Sequence, residues 1–219
     1  MSERPVSERL VSEGPVPDGV TSERVTIEGV EFAAALTLRS DVGVLALHGS
    51  REGGTAELAR EVAARAGATA LVFTQPAGDP VHIPSHRMAS APCASLDRFL
   101  SHVCLVVSLH GHFRPAAPRS VFLGGGNRGA ARTLGHSLTL LAPDFDAVTD
   151  LDRIPTGLRG LHPRNPVNLA RDKGVQLELP LSARTHRPER GPGTPDRPRP
   201  EVADALVAGI ERLAAGPGR

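Results

Sequence analysis

The residues with most chemistry to offer in this 219-residue chain are histidines and glutamates that close apolar runs. The run VGVLAL (Val42–Leu47) ends in His48-Gly49-Ser50-Arg51-Glu52. The run VCLVVSL (Val103–Leu109) ends in His110-Gly111-His112, and GVQLEL (Gly174–Leu179) carries Glu178 beside its end. Two imidazoles and a carboxylate suit a catalytic Zn²⁺ site with one coordination position open for water. A second carboxylate, not bound to metal, can then accept the proton of that water.

For these residues to meet, the runs must be neighbouring strands with their carboxyl ends on one edge. The chain has the order this requires. Val42–Leu47 is uninterrupted by polar residues, as in a strand covered on both faces. Gly53-Gly54 and Thr55, read as an N-cap, precede the helical stretch AELAREVAARAG, which stops at Gly67. Thr69–Phe73 reads as a second strand, residues 76–92 as a loop holding His82 and His86, and 95–102 as a short helix. Val103–Leu109, Ser120–Leu123, Phe145–Leu151 and Gly174–Leu179 read as further strands, with the helix AARTLGHSLTLL after Leu123. This alternation predicts a single α/β domain with a mostly parallel or mixed central sheet flanked by helices. Ligands of such sheets gather at the carboxyl ends of the strands.

Composition bounds the rest. Residues 1–25 read as a disordered, low-complexity lead (SERPV, SERLV, SEGPV), since so few large apolar side chains cannot offset the entropy of ordering. The domain is placed at 26–185, a Pro/Arg-rich linker at 186–200, and a C-terminal helix and tail at 201–219, where Val202, Ala205, Leu206, Ile210 and Leu213 recur at helical spacing. The net charge of +1 argues against a global grip on nucleic acid or an anionic membrane. The six Phe, with no Trp and no Tyr, leave little for base stacking. Two cysteines permit no zinc-finger spacing. No apolar run reaches membrane-spanning length, and the first 25 residues hold no signal-like apolar segment, so a cytoplasmic monomer is expected.

The segments LHGSREGGTAELA, VVSLHGH, VFLGGGNRG, HPRNPVN and GVQLEL, in this order, resemble the motifs of phage-type poly-γ-glutamate hydrolases, a family similar in fold to zinc carboxypeptidases. The resemblance spans about residues 42–185. It implies a zinc-dependent amidohydrolase that cleaves γ-glutamyl bonds in a small peptide or poly-γ-glutamate-like substrate. By the same resemblance His48, Glu52 and His110 are metal ligands and Glu178 is the carboxylate that activates water. Arg164 and Asn165 clamp a substrate carboxylate, for which a planar guanidinium is suited. The loop from His48 to Glu52 is one residue shorter than the family pattern, which leaves Glu57 as an alternative second ligand. HIPSH (residues 82–86) resembles the family's His-Ile-x-Ser stretch, which makes His82 and His86 candidates to orient substrate or the metal shell.

Two rival readings come from other classes. Gly124-Gly125-Gly126-Asn127-Arg128-Gly129 fits G-x-G-x-x-G between a strand and a helix, with Asp146 or Asp150 about 20 residues on, as a Rossmann-like nucleotide site would have. A tight turn beside the sheet edge is the plainer account of those glycines. The altered loop after His48 would also suit a catalytically inactive family member that only binds an anionic peptide.

Overall fold

The computed structural model describes residues 19–186 and 197–216. Its centre is one eight-stranded mixed sheet. The strands in chain order are β1 (Val20–Ile27), β2 (Val30–Thr37), β3 (Val42–Ala46), β4 (Thr69–Thr74), β5 (Leu105–His112), β6 (Ser120–Leu123), β7 (Asp146–Val148) and β8 (Gly174–Pro180). Their order across the sheet is β1-β2-β4-β3-β5-β8-β6-β7. The four central strands β4, β3, β5 and β8 are parallel, so their carboxyl ends share one edge. The antiparallel β1–β2 hairpin extends one side, and β6, antiparallel to β8, carries parallel β7 on the other.

Among the described residues six α-helices accompany the sheet: α1 (Thr55–Arg65), α2 (Ser85–Met88), α3 (Ala94–His102), α4 (Arg128–Leu141), α5 (Leu181–Arg184) and α6 (Pro200–Ala214). Helices α1, α4 and α6 cover one face. Their Leu58, Val62, Leu134, Leu138, Leu206 and Ile210 pack on Val44, Val107, Leu109, Val175 and Leu177 of the sheet. Helices α2 and α3 and the loop around Ile83 cover the other face, with Met88, Leu96 and Phe99 over Phe32, Leu45, Leu71 and Phe73. Alternate residues of each central strand therefore enter opposite layers, as the period of two requires. That is why these strands read as continuous apolar runs.

The β1–β2 hairpin corrects the boundary set for the lead. Val20–Val25 belong to a strand that Gly19 leads into, and residues 1–18 of the expected lead lie outside the described residues. The strand is polar to the eye because only Val25 and Ile27 of its side chains are buried. Pairing with β2 along its whole length orders it. The two-residue turn Glu28-Gly29 has φ of +52° and +81°, the left-handed pair that matches hairpin twist. Smaller shifts occur elsewhere. Gly54, not Thr55, caps α1. β5 runs on through His110 to His112, and β7 keeps only three of the seven residues expected. The proposed linker falls mostly on residues 187–196, outside those described. No helix among the described residues is long and apolar enough to cross a membrane.

Candidate active site

Strand register assembles the site. In the parallel pair β5–β8, His110 lies opposite Glu178 and Ser108 opposite Gln176. All four project to the face away from Leu109 and Leu177, which enter the α1/α4/α6 layer. His48 follows the adjacent strand β3. Gly49 then turns the chain tightly: a Cβ there would fall 2.8 Å from the Phe73 carbonyl oxygen and 2.7 Å from the Ala56 Cβ. One helical turn follows, closed by the Glu52 N–H donating to the His48 carbonyl at 2.9 Å. This returns the Glu52 side chain to the His48 ring. The shortened loop thus still delivers its carboxylate. Glu57 instead stands half-exposed on α1, 3.9 Å from Arg60.

Three atoms converge. His48 Nδ1 is 3.1 Å from Glu52 Oε1 and 3.1 Å from His110 Nδ1, and His110 Nδ1 is 3.4 Å from Glu52 Oε1. His48 Nε2 lies 2.8 Å from the Ile83 carbonyl oxygen, which can only accept, so Nε2 carries the proton and a neutral ring leaves Nδ1 as a bare acceptor. Acceptors facing one another at such distances need a cation among them, either a proton on an imidazole or a metal. Zinc bonds of 2.0–2.1 Å in a tetrahedron set ligand atoms about 3.3 Å apart, so the donor types and spacing fit zinc. Glu52 Oε2 is buried without a hydrogen-bond partner, as suits a carboxylate oriented toward a cation. Ring atoms of His82 also come within 4.8 Å of His48 and Glu52. The His110 set is tighter and buried, whereas His82 is exposed.

The ionisation of these groups reflects the same crowding. Burial pushes the Glu52 carboxyl up, but the His110 and His48 imidazoles outweigh it and hold its pKa at about 2. Burial lowers the His110 pKa, and the charge and hydrogen bond of Glu52 more than reverse that. Glu178 is different. Burial, with the Glu52 charge adding to it, lifts its pKa to about 7 against the opposing pull of His110 and Gln176. A carboxylate poised near neutrality can both take and return a proton.

Two amides orient that carboxylate. Asn165 Nδ2 donates to Gln176 Oε1 at 2.8 Å, which turns the Gln176 amide so that its Nε2 donates to Glu178 Oε1 at 2.8 Å. Gln176 escaped sequence reasoning, as did Ser108, whose Oγ is 3.1 Å from His110 Nε2. Strand alternation was the available signal, because each lies two residues before a site residue and so shares its face.

These groups line a cleft of about 460 Å³, walled by Pro84–His86 and by the 156–162 loop. His82 lies at its mouth, its ring tilted against that of His48 with centroids 4.6 Å apart, and His86 stacks on His162 at 4.2 Å. Among the described residues no Lys or Arg lines the cleft. Asn165 does, whereas Arg164 is exposed outside the lining, near enough to His86 to act on its charge. His112 belongs elsewhere: it bonds the Ser120 carbonyl at 2.9 Å and packs on Phe122.

The glycine-rich turn is filled by protein. The amides of Gly124, Gly125, Gly126 and Asn127 donate to Gln176 O, Arg159 O, Asn168 Oδ1 and Gly174 O, so the donors that a pyrophosphate would use are taken. Gly125 has φ +84° and passes so near Gly174 O that a Cβ would fall 2.4 Å from it. Asn127 caps α4 through the Ala130 N–H. The turn is a packing device at the sheet edge.

Fold and site together define an α/β protein with a His/Glu/His acceptor cluster and a separate buried carboxylate at the carboxyl edge of its sheet. The model of the poly-gamma-glutamate hydrolase family matches residues 23–189, and the chain belongs to that family. No curated protein sequence matches it. Among solved structures, it resembles a bacteriophage poly-gamma-glutamate hydrolase at 22% identity, TM-score 0.67, over 85% of this chain and 89% of that one. It also resembles YndL in its zinc-free form, at 22% identity and TM-score 0.65, over 80% and 86% of the two chains. At these identities the structures speak for the fold.

Proposed function

We propose that this protein is a zinc-dependent amidohydrolase that cleaves γ-glutamyl amide bonds. The observation that carries this is the convergence of His48 Nδ1, Glu52 Oε1 and His110 Nδ1 within 3.1–3.4 Å, beside a buried carboxylate outside the cluster. Family membership supplies the hydrolase class, and the zinc-free form of the YndL relative supports the choice of metal. His48, Glu52 and His110 would hold the ion. Zinc bound there supplies a Lewis acid that polarises the scissile carbonyl and makes water more acidic.

The chain's own groups do the rest. Gln176 holds Glu178 Oε1, which leaves Oε2 to take the proton of the attacking water and hand it to the leaving amine. The hydrogen bonds from His48 Nε2 to Ile83 O and between His110 Nε2 and Ser108 Oγ fix both rings with Nδ1 inward. With no Tyr in the chain, no phenol assists at the oxyanion. In a cleft lined, among the described residues, without Lys or Arg, the free α-carboxylates of a γ-linked glutamyl substrate would meet the imidazoles of His82, His86 and His162 at its mouth.

The test is hydrolysis of γ-linked and α-linked glutamyl oligomers by zinc-loaded and chelator-treated protein. The reading expects γ-specific cleavage that is lost with the metal and restored by zinc. Zinc binding without turnover on either linkage would favour an inactive peptide-binding relative, and turnover unaffected by chelation would sink the metal assignment.

A further inference from the structure

Arg184 is an unusual residue to find with no solvent exposure at all. It ends the single-turn helix α5, directly after the strand that carries Glu178. Its Nη1 donates to the Gly53 carbonyl oxygen at 2.6 Å, one residue beyond Glu52. Its guanidinium lies against Gly111, beside His110: a Cβ on Gly111 would fall 2.5 Å from Cζ and from Nη1. The guanidinium also lies over the Phe113 ring, with Cζ 4.9 Å from the centroid. Gly54, at φ +81°, packs on the Arg184 backbone, where a Cβ would come within 3.1 Å of its carbonyl oxygen.

Strand alternation sets the side of the sheet. His110 faces the cleft, so a Cβ on Gly111, whose backbone borders the cleft, would point away from it, and the guanidinium lies behind the site. One side chain thus touches the loop after Glu52, the strand of His110 and the strand end of Glu178. Arg suits this place because its planar head can stack on a glycine face and an aromatic ring while donating along its edge. It also brings a fixed positive charge behind two buried carboxylates.

We propose that Arg184 is a positioning residue: it ties the Glu52 loop to the ends of β5 and β8 and so fixes the ligand triangle from behind. Only the zinc and turnover arms of its test rest on the function proposed above. The loop arm applies to the metal-free protein.

The experiment compares the full chain with Arg184→Met, Arg184→Lys and Gly111→Ala. Hydrogen exchange of the metal-free proteins reads the loop directly, through the amide of Glu52 bonded to His48 O. Arg184→Met is expected to speed exchange over residues 49–54 while the central strands keep their protection. Zinc affinity, measured by competition with a chromogenic chelator, is expected to fall roughly 10–100-fold, as for other residues that orient ligands from outside the coordination sphere. Turnover is expected to lose kcat with KM little changed. Arg184→Lys keeps charge without the planar head and is expected to recover only part of each loss. Gly111→Ala displaces the guanidinium while keeping its charge, and is expected to move loop exchange and zinc affinity the same way. It decides the matter if Arg184→Met fails to fold. Wild-type exchange over 49–54 in folded Arg184→Met, or in Gly111→Ala, would overturn the proposal. If the wild-type chain binds no zinc, the functional reading fails, and loop exchange still decides the role of Arg184.

Discussion

Replacing Glu178 by Gln changes stability in a way that the site's electrostatics fixes in both sign and pH window. Gln keeps the side-chain shape and can still accept the Gln176 N–H through Oε1, but it cannot ionise. In the folded metal-free protein the Glu178 carboxyl titrates at about 7, against an ordinary value of 4.5. Between those values the native state holds a proton that the unfolded chain has released. Raising the pH through that window therefore costs wild-type stability, and below 4.5 the cost vanishes. At about 1.4 kcal/mol per pH unit, the interval from 4.5 to about 7 amounts to roughly 3 kcal/mol. For a domain of this size that is roughly 6–12 °C in melting temperature. The chain has no Trp or Tyr, so the assay is circular dichroism or calorimetry on chelator-treated protein at pH 4 to 8.5. Whatever constant offset Gln introduces, the Glu178→Gln protein should gain on wild type as pH rises, with the gap levelling off above about pH 7. A gap independent of pH would refute the burial argument, and with it the claim that this carboxyl is poised for proton transfer.

The other expectations concern the metal, the chemistry and the core. Glu178→Gln should retain its zinc by elemental analysis yet lose roughly 10²–10⁴-fold in turnover, the usual worth of a positioned general base. His110→Ala should purify without zinc while Glu57→Gln keeps a full equivalent; the opposite pattern would move the second ligand to α1. His86→Gln with His162→Gln should raise KM for a γ-linked glutamyl oligomer and leave zinc content unchanged, and an unaltered KM would remove the imidazoles from substrate recognition. Leu206→Ala, on the sheet-facing side of α6, should cost about 2–5 kcal/mol in urea denaturation; a neutral result would mean that α6 does not pack as described.

The central strands were legible because burial on both faces leaves an unbroken apolar signature, seen in β3, β4, β5 and β8. Their polar ends then pointed to His48, His110 and Glu178. β1 was not legible, because a strand ordered mainly by backbone pairing at a sheet margin need bury little, and VTSERVTI shows no such signature. The G-x-G-x-x-G match misled for a related reason. A regular expression records which residues permit close approach, while the approaching group here is the backbone of residues 159 and 174–176.

Sequence alone determined the residue types: two imidazoles, two carboxylates and the apolar runs that had to bring them to one edge. Tertiary structure decided which of them meet. Strand register set His110 against Glu178, and a single tight turn gave Glu52 rather than Glu57 to the cluster. It also enlisted Asn165, Gln176, Ser108 and Arg184, whose parts depend on which strand neighbours which. Local sequence carries that information poorly, because it resides in contacts between segments up to 131 residues apart.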